Sequence, residues 1–187
     1  QQTRVEAVKP YFERFLKALP TVEDLAQAPE EQLLKLWEGL GYYNRVRNLQ
    51  RGARAVMAEH GGVIPASFEA LKKLPGIGDY TAGAIGSIAF QIPVPAVDGN
   101  VLRVISRVLY RRDNILDAKV KRRIEGEIKE IPPERTGDFN QSLMELGATV
   151  CLPNGAPKCN ECPLQELCRA HLVGDEESLP VKTKAKK

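Results

Sequence analysis

Residues 74–100 constrain the fold more than any other part of the chain. They read LPGIGDYTAGAIGSIAFQIPVPAVDGN, and two glycines bracket Ile77 directly before an apolar run. Pro75 is expected to end the preceding helix, and Gly76 and Gly78 permit a sharp turn with accessible backbone amides. A helix that begins behind such a turn offers unpaired N–H groups and a positive dipole end, which suits a phosphate.

An aspartate follows in the sequence VDGN. Asp98 is placed to act on a molecule that the turn holds by its phosphate, or it only caps the helix that begins after it. The local pattern leaves both interpretations open. One is a phosphate-binding hairpin with a nearby acid, and the other is an ordinary packing corner between helices.

Apolar residues recur at helical spacing along most of the chain. The helical patterns cover residues 4–19, 22–26, 29–37, 43–60, 67–73, 81–90, 99–109, 119–131 and 139–150. No convincing alternating run is present, and Pro93 and Pro95 interrupt the short apolar piece between them, which argues against a strand. The sequence therefore predicts an all-α protein.

Length and charge limit the class of protein. The 187 residues are 43% hydrophobic and 27% charged, which is ordinary for a globular chain with one core or two small lobes. The net charge of +3 is compatible with nucleic acid. No apolar run approaches the roughly 20 residues of a membrane span, and no signal peptide opens the chain. We expect a soluble intracellular protein without a membrane partner.

Four cysteines form the second strong signal. Cys151, Cys159, Cys162 and Cys168 follow the spacing C-x7-C-x2-C-x5-C. Thiols this close in an intracellular chain favour a tetrahedral metal site over two disulfides. Zinc and a [4Fe–4S] cluster both accept four cysteines. Local chemistry alone favours zinc, because such sites are common.

Together these motifs resemble the endonuclease III superfamily of DNA glycosylases, which combines a helix-hairpin-helix with an aspartate. The superfamily carries a C-x6-C-x2-C-x5-C iron–sulfur loop, and the loop of this chain is one residue longer. The resemblance implies a [4Fe–4S] cluster on the four cysteines. It also implies that Gly76 and Gly78 grip a DNA phosphate while Asp98 faces the sugar.

Position 80 separates two classes within that superfamily. Members that cleave the DNA strand place a lysine there, two residues after the second glycine, and its amine forms a Schiff base with C1′ of the sugar. This chain has Tyr80 instead. The resemblance therefore implies a monofunctional enzyme that uses water as the nucleophile, with Tyr80 lining the pocket. The alternative is that Tyr80 is only a partly buried aromatic residue.

Two further motifs resemble those of MutY-type adenine DNA glycosylases. They are QQT at residues 1–3 and GLGYY at residues 39–43. The resemblance implies that both segments approach the duplex where 8-oxoguanine faces the target adenine, with Gln2 and Tyr42 wedged into the base stack. The candidate DNA-binding residues are Gln1, Gln2, Thr3, Leu40, Tyr42, Arg45, Gly76, Gly78 and Glu145. Leu40 and Tyr42 as plain core, and Glu145 as an exposed helical residue, are the competing interpretations.

The implied reaction is hydrolysis of the bond between adenine and its sugar in double-stranded DNA. Asp98 matches the carboxylate that stabilises the oxocarbenium-like sugar. The family's general acid is a glutamate four residues before QQT, a position that precedes Gln1. We expect the intact gene product to carry an upstream W-x-x-S-E-like segment, because losing a general acid costs about 10²–10⁴-fold in rate. A basic linker and a Nudix-like domain are expected beyond residue 180.

The resemblance implies a monomer with two helical lobes and DNA between them. We expect a six-helix barrel at residues 21–109 with its hairpin at 74–82, an iron–sulfur lobe at 1–20 and 110–172, and a polar tail at 173–187 that begins the linker. The expected location is the bacterial cytoplasm, at the nucleoid.

Three other functions stay open. A thymine mismatch glycosylase of the same superfamily also has tyrosine for lysine, although QQT and GLGYY match adenine-specific members better. A non-catalytic iron–sulfur DNA-binding protein would use Asp98 only as a helix cap. A zinc-binding structural module would use only the cysteines.

Overall fold

The computed structural model describes Thr3, residues 5–131 and residues 134–183. These ranges contain helices and no strand, so the predicted all-α class is confirmed. The helices are α1 (Val5–Ala18), α2 (Val22–Gln27), α3 (Glu30–Trp37), α4 (Asn44–His60), α5 (Phe68–Lys73), α6 (Asp79–Phe90), α7 (Gly99–Val108), α8 (Ala118–Lys129), α9 (Thr136–Thr149) and α10 (Arg169–Leu172). Within the described ranges, no helix is long and apolar enough to cross a membrane.

The chain divides into two compact units, Gln1–Gly78 and Asp79–Lys187. The boundary falls between the glycine turn and α6. The lobes expected from the sequence have other boundaries, and their assignment as a barrel and an iron–sulfur lobe stays a prediction.

The first unit is built around α4. Helices α2 and α3 pack on α4, and α1 packs on α3. Leu33 and Val46 are almost fully buried in this core. Gln50 Nε2 donates to the backbone carbonyls of Leu25 (3.2 Å) and Ala28 (2.6 Å) at the end of α2. A buried amide with both partners fixes α2 against α4 without an unsatisfied polar group.

The second unit is built around α7, which packs against α8, α9 and α10, while α6 packs on α9. Two glycines of α9 make these close approaches possible. A Cβ at Gly137 would lie 2.6 Å from the Ser87 carbonyl oxygen of α6, and one at Gly147 would lie 2.6 Å from Asn100 Cβ of α7. Any side chain at either position would push the helices apart.

The end of the chain differs from the expected polar tail. Leu179 is 1% exposed and packs against Cys168 and Ala170. The backbone N–H of Ile115 donates to the Val181 carbonyl at 3.1 Å. Residues 175–183, the C-terminal segment, therefore pack on the second unit. A polar composition gives little reason to expect folding here, but one buried leucine and backbone hydrogen bonds outweigh it.

Candidate active site and cysteine cavity

The glycine turn has the conformation that its sequence predicts. Gly76 adopts φ +80°, where an L-residue is strained. A Cβ there would also lie 2.7 Å from Asn48 Cβ of α4. Gly78 has open space around its Cα, and both glycines are exposed. The turn is thus accessible on the surface, with one glycine required by the backbone and the other free of neighbours.

Asp98 is the N-cap of α7. Its Oδ1 accepts hydrogen bonds from the backbone N–H groups of Asn100 (2.8 Å) and Val101 (2.9 Å), and Asn100 Nδ2 donates to Oδ2 at 2.8 Å. The side chain is half-buried. The cap interpretation is therefore confirmed, and it does not exclude the chemical one. These bonds hold a half-buried carboxylate in one orientation.

Tyr80 lies near Asp98 in the second unit. Burial, and secondly the charge of Asp98, raise the pKa of the Tyr80 phenol above its ordinary value. The hydroxyl donates to Met144 Sδ at 3.3 Å. On α9 it is therefore Met144 that meets Tyr80, whereas the neighbouring Glu145 is exposed. Nothing in the sequence marks Met144, because this contact depends on how α9 packs against α6.

A buried arginine connects Asn100 to the first cysteine. Arg103 is 4% exposed. Its Nη2 donates to Asn100 Oδ1 (2.8 Å) and the Gly147 carbonyl (2.7 Å), and its Nε donates to the Cys151 carbonyl (2.7 Å). Burial lowers the pKa of this guanidinium, and the nearby Cys151 and Asp98 oppose that shift. An unbroken set of hydrogen bonds thus runs from the Asp98 carboxylate to the cysteine loop.

The structure brings all four cysteines to one cavity, here called the cysteine cavity. Arg107, His171 and Glu176 also line it. Burial, followed by the nearby Glu176 carboxylate, raises the pKa of the Cys159 thiol to about 11. Burial likewise raises the pKa of Cys168. A metal that binds the thiolates of Cys159 and Cys168 therefore has to displace their protons.

The spacing of the sulfurs bears on which group would fit. Four sulfurs around one zinc ion lie about 3.8 Å apart, given Zn–S bonds of about 2.3 Å in a tetrahedron. No three of the four sulfurs lie within 4.8 Å of one another, whereas Cys159, His171 and Glu176 do offer three atoms that close. A cluster that gives each thiolate its own iron accepts the wider spacing. Four cysteine thiols at one cavity are a donor set that a [4Fe–4S] cluster can use.

Four of the candidate DNA-binding residues lie in the first unit near one another. Arg45 Nη1 donates to Thr3 Oγ1 (3.1 Å), and Nη2 donates to the Leu40 carbonyl (3.3 Å). The guanidinium also lies 5.6 Å from the ring centre of Tyr42. Tyr42 is 71% exposed with φ +47°, so the plain-core interpretation fails for it. Gln1 and Gln2 lie outside the described residues.

The other arginines of α4 have partners within the first unit. Arg47 forms an ion pair with Glu30, and Arg54 donates to the Ala26 carbonyl at 2.9 Å. Arg47 and Arg54 bind neighbouring helices. Arg45 instead contacts Thr3 of the QQT motif and the GLGYY motif.

The helices thus carry an exposed glycine turn, an aspartate held by hydrogen bonds, and four cysteines at one cavity. The chain belongs to the HhH-GPD superfamily of base excision DNA repair proteins, whose family model matches residues 1–130. It is 50% identical over 173 residues to the adenine DNA glycosylase of Rattus norvegicus, covering 91% of this chain and 33% of the relative. It is 47% identical over 181 residues to the adenine DNA glycosylase of Homo sapiens, covering 96% and 33% respectively.

The chain therefore spans about a third of the length of these curated relatives. Among solved structures it is similar to a thermostable thymine-DNA glycosylase. The TM-score is 0.81 at 29% sequence identity, over 92% of this chain and 80% of that one. The predicted superfamily resemblance is confirmed.

Proposed function

We propose that this chain is the catalytic part of an adenine DNA glycosylase, which hydrolyses the N-glycosidic bond of adenine opposite 8-oxoguanine or guanine. One observation carries the proposal. Asp98 presents an oriented carboxylate near Tyr80. Tyr80 stands at the position where strand-cleaving members of the superfamily have a lysine. The similarity to two adenine DNA glycosylases supports adenine as the base.

In this proposal Asp98 stays ionised and faces the sugar. A fixed negative charge lowers the energy of the positive charge that develops at C1′ as the base leaves. The phenol of Tyr80 forms no Schiff base, so water completes the hydrolysis and the strand stays intact. The general acid that protonates adenine remains the glutamate predicted ahead of QQT.

DNA is bound through separate elements of the chain. The exposed Gly76–Gly78 turn receives a phosphate on its backbone amides. Gln1, Gln2, Thr3, Leu40, Tyr42 and Arg45 form the surface that meets the base pair. Tyr42 supports this role because its exposed ring is available to stack between bases. The protein acts as a monomer on double-stranded DNA in the bacterial cytoplasm.

The cysteine cavity holds a [4Fe–4S] cluster through Cys151, Cys159, Cys162 and Cys168. When bound, this cluster supplies covalent links that organise an otherwise irregular loop. Iron and sulfide analysis with visible absorbance tests the assignment. A brown protein with about four irons supports it, whereas a colourless protein with zinc contradicts it.

Single-turnover assays with the intact gene product test the activity. Duplexes with 8-oxoguanine:adenine, guanine:adenine and guanine:thymine pairs are compared by the free base that they release. Release of adenine from the first two supports the proposal. Release of thymine alone would establish instead the thymine mismatch glycosylase, which the similarity to a thymine-DNA glycosylase keeps as the second candidate. Tight DNA binding with no base released would favour the non-catalytic alternative.

A further inference from the structure

Arg107 joins two segments that are far apart in the sequence. It follows Arg103 by one turn on α7 and is 3% exposed. Its Nη1 donates to Cys151 Sγ (3.2 Å) and the Leu152 carbonyl (2.9 Å). Its Nε donates to the carbonyls of Glu176 (2.8 Å) and Leu179 (3.0 Å). One guanidinium therefore binds the first cysteine on one side and the C-terminal segment on the other.

This buried cation has no carboxylate partner. Within the described ranges, its hydrogen bonds are accepted by three backbone carbonyls and one sulfur, all formally neutral when the thiol is protonated. The Glu176 carboxylate lies against His171 Nδ1 instead. A buried charge is stable when an opposite charge lies close to it. Negative charge is therefore expected in the cysteine cavity, which Arg107 lines.

A second positive charge lies nearby. Arg103 and Arg107 are close enough for Arg107 to lower the pKa of Arg103, although burial is the larger cause of that shift. Arg103 has Asp98 and Asn100 on its other side, whereas Arg107 faces only the cysteine loop and the C-terminal segment. A thiolate-ligated iron–sulfur cluster would place negative charge directly beside Arg107, whereas the Glu176 carboxylate pairs with His171.

The C-terminal segment closes one side of the cavity. Glu176 lines the cavity, and Leu179 packs against Cys168 and Ala170. Asp175 anchors the start of the segment by accepting from the Tyr110 hydroxyl at 2.7 Å. Arg107 holds the part between these anchors through its Nε. Without Arg107, Cys151 and the C-terminal segment would each lose a hydrogen-bond donor.

We propose that Arg107 is a positioning residue for the iron–sulfur site, which orients Cys151 through its sulfur and clamps the C-terminal segment over the cavity. The proposal rests on the cluster assigned under the proposed function. A donor and a positive charge beside a ligand sulfur stabilise the more electron-rich reduced cluster. Arg107 thus raises the reduction potential as well as retaining the cluster.

The test uses the full chain reconstituted anaerobically with iron and sulfide. Arg107→Gln is compared with Arg107→Lys, which keeps the charge but loses the fork that reaches two segments. Retention of iron against a chelator and the midpoint potential of the cluster are measured. We expect Arg107→Gln to weaken iron retention about 10–100-fold, as removal of partners behind metal ligands does. We expect its potential to become more negative, with Arg107→Lys retaining a potential nearer to that of the parent.

Two controls separate the roles. Arg122→Gln removes the same charge from an exposed position on α8 and should match the parent in both measurements. Asp175→Asn weakens the anchor of the C-terminal segment without touching a cysteine, so it should speed iron loss modestly and leave the potential unchanged.

Parent-like retention and potential in folded Arg107→Gln would overturn the proposal. If that variant does not fold, parent-like retention in Arg107→Lys overturns the clamp, since lysine cannot make the same set of bonds. A parent chain that binds no iron on reconstitution would refute the assigned cofactor itself, and the role of Arg107 with it. A cluster-bearing parent with unaffected Arg107 variants would refute the role of Arg107 alone.

Discussion

Asp98 and Asp117 begin consecutive helices of the second unit by the same local chemistry. Each is an N-cap in extended backbone conformation, and each accepts a hydrogen bond of 2.8 Å from the backbone N–H two residues later. A short sequence window around either aspartate predicts a helix cap and nothing more.

Their surroundings differ. Asp117 is exposed, whereas Asp98 is half-buried, and Asn100 Nδ2 holds its second oxygen. The charge of Asp98 reaches the Tyr80 phenol, and Arg103 continues the hydrogen bonds to the cysteine loop. The cap is thus a property of local sequence, while the surroundings of a reactive carboxylate also depend on α6 and the cysteine loop.

Replacing each aspartate by asparagine gives the largest expected difference. Asn caps a helix about as well as Asp, so neither variant should unfold. Asp98→Asn removes the negative charge at the sugar and should slow adenine excision about 10²–10³-fold, as loss of a transition-state stabiliser does. Asp117→Asn should excise at the rate of the parent. Single-turnover excision by the intact gene product measures both.

Duplex binding provides the control, because both variants should bind mismatched DNA as the parent does. Equal excision by Asp98→Asn and Asp117→Asn would reduce Asp98 to a cap and refute the proposed catalytic role.

Two glycines extend the comparison to packing. Gly147 faces the start of α7, where a Cβ would lie 2.6 Å from Asn100 Cβ, whereas Gly126 of α8 has nothing within 4 Å. Gly147→Ala should lower the free energy of unfolding by about 1–3 kcal/mol through overpacking. Gly126→Ala should raise it by about 0.5–1 kcal/mol, because alanine loses less entropy in a helix.

Urea unfolding followed by far-UV circular dichroism measures both values under identical cofactor conditions. Changes of opposite sign in the free energy of unfolding would support close packing between α9 and α7 at Gly147. A stabilising Gly147→Ala would contradict it.

The sequence predicted the helices well because their ends carry local signals. The pattern at 43–60 became α4 at Asn44–His60, which ends at Gly61 with φ +60°. The pattern at 67–73 became α5 at Phe68–Lys73, which Ser67 caps by accepting from the Ala70 N–H. Such features lie within one turn of the residues that they affect, so no knowledge of packing is needed.

The site was predicted only where a motif marks it. Asp98, Tyr80 and the cysteines stand in motifs, whereas Met144, Arg103 and Arg107 gain their contacts from the packing of α6, α7 and α9. Charged residues in a helix usually indicate a solvated face, which hides two buried arginines. The buried Leu179 was missed for the opposite reason, since polar neighbours conceal it.

Replacing each aspartate by alanine tests the helix-capping role that Asp98 and Asp117 share. Asp98→Ala and Asp117→Ala should each lower the free energy of unfolding by about 0.5–2 kcal/mol, because both leave helix N–H groups without an acceptor. Urea unfolding of the reconstituted chain measures the two losses. A more stable Asp98→Ala would indicate that the carboxylate is strained in place, and that its position is maintained for chemistry rather than for the helix.

The smallest expected effect is a shift in the titration of Tyr80. Burial and the Asp98 charge raise the pKa of this phenol above its ordinary value of 10.0. The stability that the protonated phenol contributes is therefore fully present below pH 10, and it is lost as the pH rises through the higher folded pKa. Asp98→Asn removes the second cause and should lower the pKa part of the way, whereas Asp117→Asn should not move it. Tyrosinate absorbance, with Tyr80→Phe identifying the signal, measures the shift. An unchanged pKa in Asp98→Asn would mean that burial alone separates Tyr80 from other tyrosines, and that Asp98 does not face it.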